Sequence, residues 1–195
     1  MAHEFDYMSA TELRLRIARK DISPVELARH TLERADAVQA DLNPFFVMFP
    51  DHAMSAAQAA EDAVMSGGAL GALHGLPISV KDLISVCDAP FAFGSKVMAN
   101  NIAPDDAPAV ERARAAGAVV IGKTTTSEFG CKPVGDSPLT GVTRNPWHRR
   151  RRFDSNTELA HRTRWDQGQL RSGASLAHHG DSHARPRRPH GTHPA

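Results

Sequence analysis

The sequence predicts an α/β fold in which helices surround a mixed sheet. Short apolar runs that suit buried strands alternate with segments of helical period. A glycine also separates the helical segment 107–116 from the apolar run 118–122, and this order is typical of sheets that are at least partly parallel. With 195 residues, 41% of them hydrophobic, the chain is long enough for one globular domain, and a wholly disordered or fibrous chain is excluded.

Residue types that start and stop helices place the elements along the first half of the chain. Ser9 and Ser23 each precede a glutamate by three residues, which is the pattern of a capping box, and Pro24 suits a first helical position. Asp51 is predicted to cap a third, alanine-rich helix that ends near Gly67. The apolar runs predict strands over residues 45–49, 76–82 and 118–122.

The composition changes after Trp147. Residues 1–147 carry 13 Lys and Arg against 18 Asp and Glu, whereas residues 148–195 carry 10 Arg, no Lys and 4 acidic residues. The second segment also holds 7 of the 11 histidines and contains no Ile, Val, Met, Tyr or Cys. We therefore expect a globular segment over residues 1–147 and a basic, disordered tail over residues 148–195.

The tail has the composition of a GC-rich gene read in another frame. Arg, Pro, His, Gly, Ala, Ser and Thr dominate it, so a frameshift after Trp147 explains it, and a genuine interaction tail is the alternative. No aromatic residues alternate with the arginines inside its two arginine runs, which argues against nucleic-acid binding. His178, His179 and His183 lack the spacing of a zinc site, and we expect no metal.

Several features bear on the compartment. The chain contains no apolar run of the roughly 18–20 residues that span a bilayer, and its acidic N-terminus does not resemble a secretory signal. Its two cysteines, Cys87 and Cys131, do not form a disulfide framework, so we expect reduced, buried thiols in a cytoplasmic protein with no membrane partner.

Lys81 ends an apolar strand, where a charge is costly to bury. Two interpretations follow. The side chain either reaches water at the sheet edge, or it is desolvated, neutral and able to act as a base. Asp82 has a comparable pair of interpretations: a carboxylate bonded to the backbone, or a member of a site.

Three segments carry a resemblance to a known family. HGLPISVKD over residues 74–82 resembles the lysine strand of the amidase signature family. AAGAVVIGKTTTSEFG over residues 115–130 resembles that family's next segment, and TGVTRNPW over residues 140–147 resembles the approach to its glycine- and serine-rich loop. Order and spacing agree, so residues 1–147 are identified as the N-terminal part of an amidase domain.

The resemblance implies hydrolysis of small-molecule amides, with no metal or organic cofactor. The family uses a nucleophilic serine, a bridging serine in a cis peptide and a lysine, and Lys81 matches that lysine. By the same resemblance, Ser127, Glu128 and Phe129 border the substrate channel, with packing alone as the alternative. Lys123 is expected to be structural or to line a pocket.

The sequence departs from the family after Asn-Pro-Trp. HRRRRFDS follows, and neither the Gly-Gly-Ser-Ser-Gly-Gly segment nor a Gly-Gly-Ser-Ile-Arg-like segment occurs in the 195 residues. We therefore expect an inactive fragment of an amidase that associates with itself through exposed sheet edges. A non-catalytic binding fragment and a subunit-like relative of glutamine amidotransferases are the alternatives.

Overall fold

The computed structural model describes residues 4–145. The predicted tail, with its histidines and arginine runs, lies outside the described residues. The main helices are α1 (Ala10–Ala18), α2 (Pro24–Leu42), α3 (Pro50–Ser66) and α4 (Pro108–Ala115). The strands are β1 (Phe45–Met48), β2 (Pro77–Lys81), β3 (Val119–Thr124), β4 (Asp136–Ser137) and β5 (Gly141–Val142). Three short 3₁₀ turns complete this part of the chain, at Glu4–Tyr7, Lys96–Met98 and Glu128–Gly130.

The main sheet has the order β1-β3-β2. Strand β3 pairs in parallel with β2 and antiparallel with β1, so the sheet is mixed, and the predicted α/β class is confirmed. Both pairings shift register near Gly122, which lies opposite Met48 on one side and Ser79 on the other. A Cβ at Gly122 would lie 2.6 Å from the carbonyl oxygen of Val47, which explains the glycine there.

Strand β3 is apolar throughout because both of its faces are covered. Val119 and Ile121 pack with small residues of α2 and α3, whereas Val120 packs on the opposite face with Val80 and Val110. Alternate residues of a strand point to opposite faces, so a continuous apolar run is the expected pattern for this central strand.

The predicted helix starts are confirmed at two of the three positions. Ser9 and Ser23 each accept a hydrogen bond of 3.2 Å, from the backbone N–H groups of Glu12 and Glu26. The prediction for Asp51 is wrong, because α3 begins at Pro50 and its capping position is Phe49, whose side chain makes no cap bond. Proline suits the first helical position since its missing N–H would find no partner there, and Asp51 falls in the first turn.

Among residues 4–145, no helix combines the length and the apolar character needed to cross a bilayer. Both cysteines are free. The expectation that both thiols are buried is wrong: Cys87 is half-buried and Cys131 is exposed. Cys87 lies in a turn beyond the end of β2, and Cys131 follows the 3₁₀ turn Glu128–Gly130, which has no buried residue.

Candidate active site

Lys81 is the last residue of β2 and lies opposite Thr124 at the end of β3. Because these strands are parallel, their carboxyl ends meet at one edge of the sheet, where α/β proteins commonly bind ligands. The Lys81 side chain is exposed in the described part of the chain. Within residues 4–145 this side chain is not desolvated, since β3 is the one strand that pairs with β2 there.

Asp82, the next residue, is 1% exposed. Its Oδ1 accepts a hydrogen bond of 3.3 Å from the N–H of Ala92, and its Oδ2 accepts one of 3.2 Å from the N–H of Gly94. The interpretation of Asp82 as a carboxylate bonded to the backbone is confirmed. These bonds connect the end of β2 to the loop that follows it.

Lys123, within β3, is 0% exposed. Its Nζ lies 2.8 Å from Oδ1 of Asp82 and donates a hydrogen bond of 2.7 Å to the carbonyl of Pro90. The same nitrogen lies 4.5 Å from the ring centroid of Phe91, in a cation–π contact. Burial lowers the pKa of Lys123, and the hydrogen bond and charge of Asp82 oppose that shift.

The three residues expected to border a substrate channel differ in their surroundings. Ser127 is buried. Its hydroxyl donates to the carbonyl of Lys132 and accepts from the N–H of the same residue, so both hydrogen bonds stabilise the loop over residues 127–132. Glu128 accepts a hydrogen bond of 2.8 Å from the hydroxyl of Ser95. Phe129 is 59% exposed and presents its ring to solvent.

Phe129 belongs to a row of three aromatic rings, with Phe91 and Phe93, that we name the aromatic wall. The ring centroids of Phe91 and Phe93 lie 4.1 Å apart, and those of Phe93 and Phe129 lie 6.1 Å apart. Phe93 and Phe129 have φ angles of 54° and 49°, a left-handed conformation that bulky residues rarely adopt. Such strained residues cluster at functional sites. Sequence reasoning missed Phe91 and Phe93.

The hairpin of β4 and β5 was also not predicted. Asn43, at the end of α2, donates a hydrogen bond of 2.7 Å from Nδ2 to the carbonyl of Thr140, and its own carbonyl accepts one of 2.9 Å from Thr143. The Thr143 hydroxyl also bonds the hydroxyl of Thr125, which follows β3 directly. The segment that resembles the approach to the family's serine loop therefore lies beside the end of β3.

Other features of the described residues lie away from this edge. A cavity of about 510 Å³ is lined by His52, His74 and Arg114 together with small residues of α3, and it includes none of the predicted site residues. Residues 4–145 contain no group of three or more side chains able to hold a metal ion.

Comparison with known proteins agrees with the geometry. The sequence model of the amidase family matches residues 26–153. The chain is 38% identical over 141 residues to an acylamidase of Rhodococcus erythropolis, covering 72% of this chain and 30% of that protein. It is 44% identical over 139 residues to a glutamyl-tRNA(Gln) amidotransferase subunit of Burkholderia cenocepacia, covering 71% of this chain and 28% of that protein.

Solved structures lead to the same family. The peptide amidase of Stenotrophomonas maltophilia superposes with a TM-score of 0.68 at 30% identity, over 74% of this chain and 31% of that one. A bacterial aryl acylamidase of the amidase signature family superposes with the same TM-score at 26% identity, over 72% of this chain and 30% of that one. The chain thus spans about 30% of the length of these relatives. With its family-like lysine strand at the edge of a mixed sheet, this chain belongs to the amidase signature family.

Proposed function

We propose that residues 1–147 are the lysine-bearing N-terminal part of an amidase domain, and that Lys81 is the proton-accepting lysine of amide hydrolysis. The observation that carries the proposal is the position of Lys81. It lies, exposed, at the carboxyl end of β2, beside the end of β3 and the segment that leads toward the family's serine loop.

In the completed domain, Lys81 takes up a proton while a new covalent bond forms. The nucleophilic serine passes its proton through the bridging serine to Lys81 as its oxygen attacks the amide carbonyl. Collapse of the tetrahedral intermediate breaks the C–N bond, and the returning proton leaves on the amine. Water then hydrolyses the acyl-enzyme by the same relay. Lys81 accepts a proton only when its amine is neutral, a state that a covered, less polar site favours over an exposed one.

We propose that the 195 residues alone have no amidase activity. They contain neither glycine-rich serine segment, so no acyl-enzyme forms. The backbone donors of an oxyanion hole are lost with those segments, and one such donor alone is worth roughly 10²–10³ in rate. The substrate class of the complete domain is a small-molecule carboxylic amide, which the activities named for the acylamidase and peptide amidase relatives support. Ser127, Glu128 and Phe129 lie on the substrate side of that site.

We also infer self-association and a cytoplasmic location. Val97 is 89% exposed and Ile102 is 52% exposed, and the outer edge of β2 pairs with no strand of residues 4–145. Exposed apolar side chains and an open strand edge both favour association. The free state of Cys87 and Cys131 supports a reducing compartment.

The test is a gain of activity. Residues 1–145 are fused to the C-terminal part of the Rhodococcus erythropolis acylamidase that lies beyond the matched region, and hydrolysis of a small acyl anilide is measured. The fusion is expected to hydrolyse the anilide, and the 195-residue chain is not. Lys81→Met in the fusion should lower the rate by about 10³-fold, the scale of general-base catalysis. Lys96→Met, at another exposed lysine, is the matched control and should keep the rate.

A rate in the 195-residue chain that Lys81→Met removes would overturn the claim that this chain is inactive. An active fusion that keeps its rate after Lys81→Met would overturn the role of Lys81.

A further inference from the structure

The ion pair of Asp82 and Lys123 is fully satisfied although it is buried. The carboxylate receives the ammonium at 2.8 Å and two backbone N–H groups, and the ammonium adds the Pro90 carbonyl and the Phe91 ring. Burying two charges costs several kcal/mol per ion, and apolar residues of similar volume often serve stability as well or better. Stability alone therefore does not account for a charged pair at this position.

The pair connects the end of β2 to the aromatic wall. Asp82 follows Lys81 directly and, with Lys123, fastens the segment 90–94, which carries Phe91 and Phe93. Phe93 in turn accepts a hydrogen bond of 2.8 Å at its carbonyl from the N–H of Phe129. Loss of the pair would release the segment 90–94 from the end of β2, and with it the two rings of the aromatic wall that this segment carries.

We propose that Asp82 and Lys123 form a positioning pair that fixes Lys81 and the aromatic wall relative to each other. This inference rests on the proposed function, in which Lys81 accepts a proton and Phe129 lies on the substrate side. Neither partner touches the substrate. Their role is to hold the backbone that carries the groups that do.

The first test uses the 195-residue chain with Asp82→Asn, which keeps the shape of the side chain. Exchange of the Ala92 and Gly94 amides is expected to quicken by about tenfold or more, because their acceptor weakens. Acylation of Lys81 by an amine-reactive ester should rise about threefold or more relative to Lys20 in the same molecule, as the end of β2 becomes mobile. Mass spectrometry separates the two lysines.

Asp106→Asn is the matched control. Asp106 also accepts a backbone hydrogen bond, of 2.7 Å from the N–H of Cys87, and pairs with Arg114 at 3.3 Å. Its loss is expected to quicken exchange at Cys87 and to leave the acylation of Lys81 unchanged. Equal effects of the two variants on Lys81, or no effect of Asp82→Asn on it, would overturn the proposal.

The second test uses the fusion with the Rhodococcus acylamidase part, at a temperature where each variant remains folded. Asp82→Asn is expected to lower kcat by about 30-fold while KM stays within about threefold, because positioning acts on the transition state. Unchanged kcat per folded molecule would show a structural role and overturn the proposal. A fusion without activity refutes the proposed function instead. The acylation of Lys81 in the 195-residue chain then decides whether Asp82 and Lys123 position Lys81.

Discussion

Replacing Lys123 by Met tests the energetics of the buried pair. Methionine has a similar volume and leaves no large cavity, so the cost arises from Asp82, whose carboxylate stays 1% exposed with only the N–H groups of Ala92 and Gly94. Removing one partner of a buried pair costs about 3–5 kcal/mol, and the two remaining hydrogen bonds place this case near 3 kcal/mol. The Pro90 carbonyl also loses its ammonium donor.

The double variant Asp82→Asn/Lys123→Met separates the energy of the interaction between the two charges from the cost of burying each charge. Removing both charges is expected to cost less than the sum of the single substitutions by about 2 kcal/mol, since neither charge is left unpaired. Arg114→Met, in the pair with Asp106 whose arginine is 46% exposed, is the control and should cost less than about 1 kcal/mol. Urea unfolding followed by circular dichroism, at a concentration where the chain is monomeric, gives each free energy of unfolding. Additive costs, or a cost for Lys123→Met equal to that for Arg114→Met, would refute the reasoning.

Three further predictions concern packing, pH and association. Gly122→Ala should lower the free energy of unfolding by about 2–3 kcal/mol in the same urea assay. The added Cβ would lie 2.6 Å from the carbonyl oxygen of Val47, which cannot move without separating β1 from β3. A loss smaller than that caused by a substitution at an exposed strand position would contradict the register of these strands. The lowered pKa of Lys123 means that the unfolded chain binds more protons than the folded one between that pKa and the ordinary value of 10.5. The contribution of Lys123 to the free energy of unfolding should therefore rise with pH in that window, by at most about 1.4 kcal/mol per pH unit. Lys123→Met should remove this rise. Light scattering after gel filtration should show oligomers, and Val97→Glu should reduce their fraction. Met65→Glu, at an exposed residue of α3, is the control and should leave that fraction unchanged. A monodisperse monomer at all concentrations would contradict self-association.

Local signals were enough to predict the helices and the strands of the main sheet. The capping serines Ser9 and Ser23 and the buried run of β3 act over a few residues, so the sequence displays them directly. Boundaries shifted where two local preferences compete. At the start of α3, Pro50 takes the first helical position, so the helix begins earlier than Asp51 alone would indicate.

The site was predictable only where a motif names a residue. Lys81 is identified by its resemblance to the family, but no periodicity shows that Asp82 pairs with a lysine 41 positions along the chain. A lysine inside an apolar strand was the one available signal for Lys123. The hairpin of β4 and β5 was missed because its strands have two residues each and are anchored by Asn43, about 100 residues away.

The proton-accepting role of Lys81 is the central claim, and amine rescue tests it most directly. In the fusion with the acylamidase part, Lys81→Ala removes the amine and leaves space at the end of β2. The anilide hydrolysis rate of this variant is expected to fall by about 10³-fold, and to recover by about tenfold or more in proportion to added neutral methylamine. The parent fusion and Lys96→Ala should not respond to the amine. A Lys81→Ala fusion that hydrolyses the anilide at the parent rate without methylamine would contradict the claim.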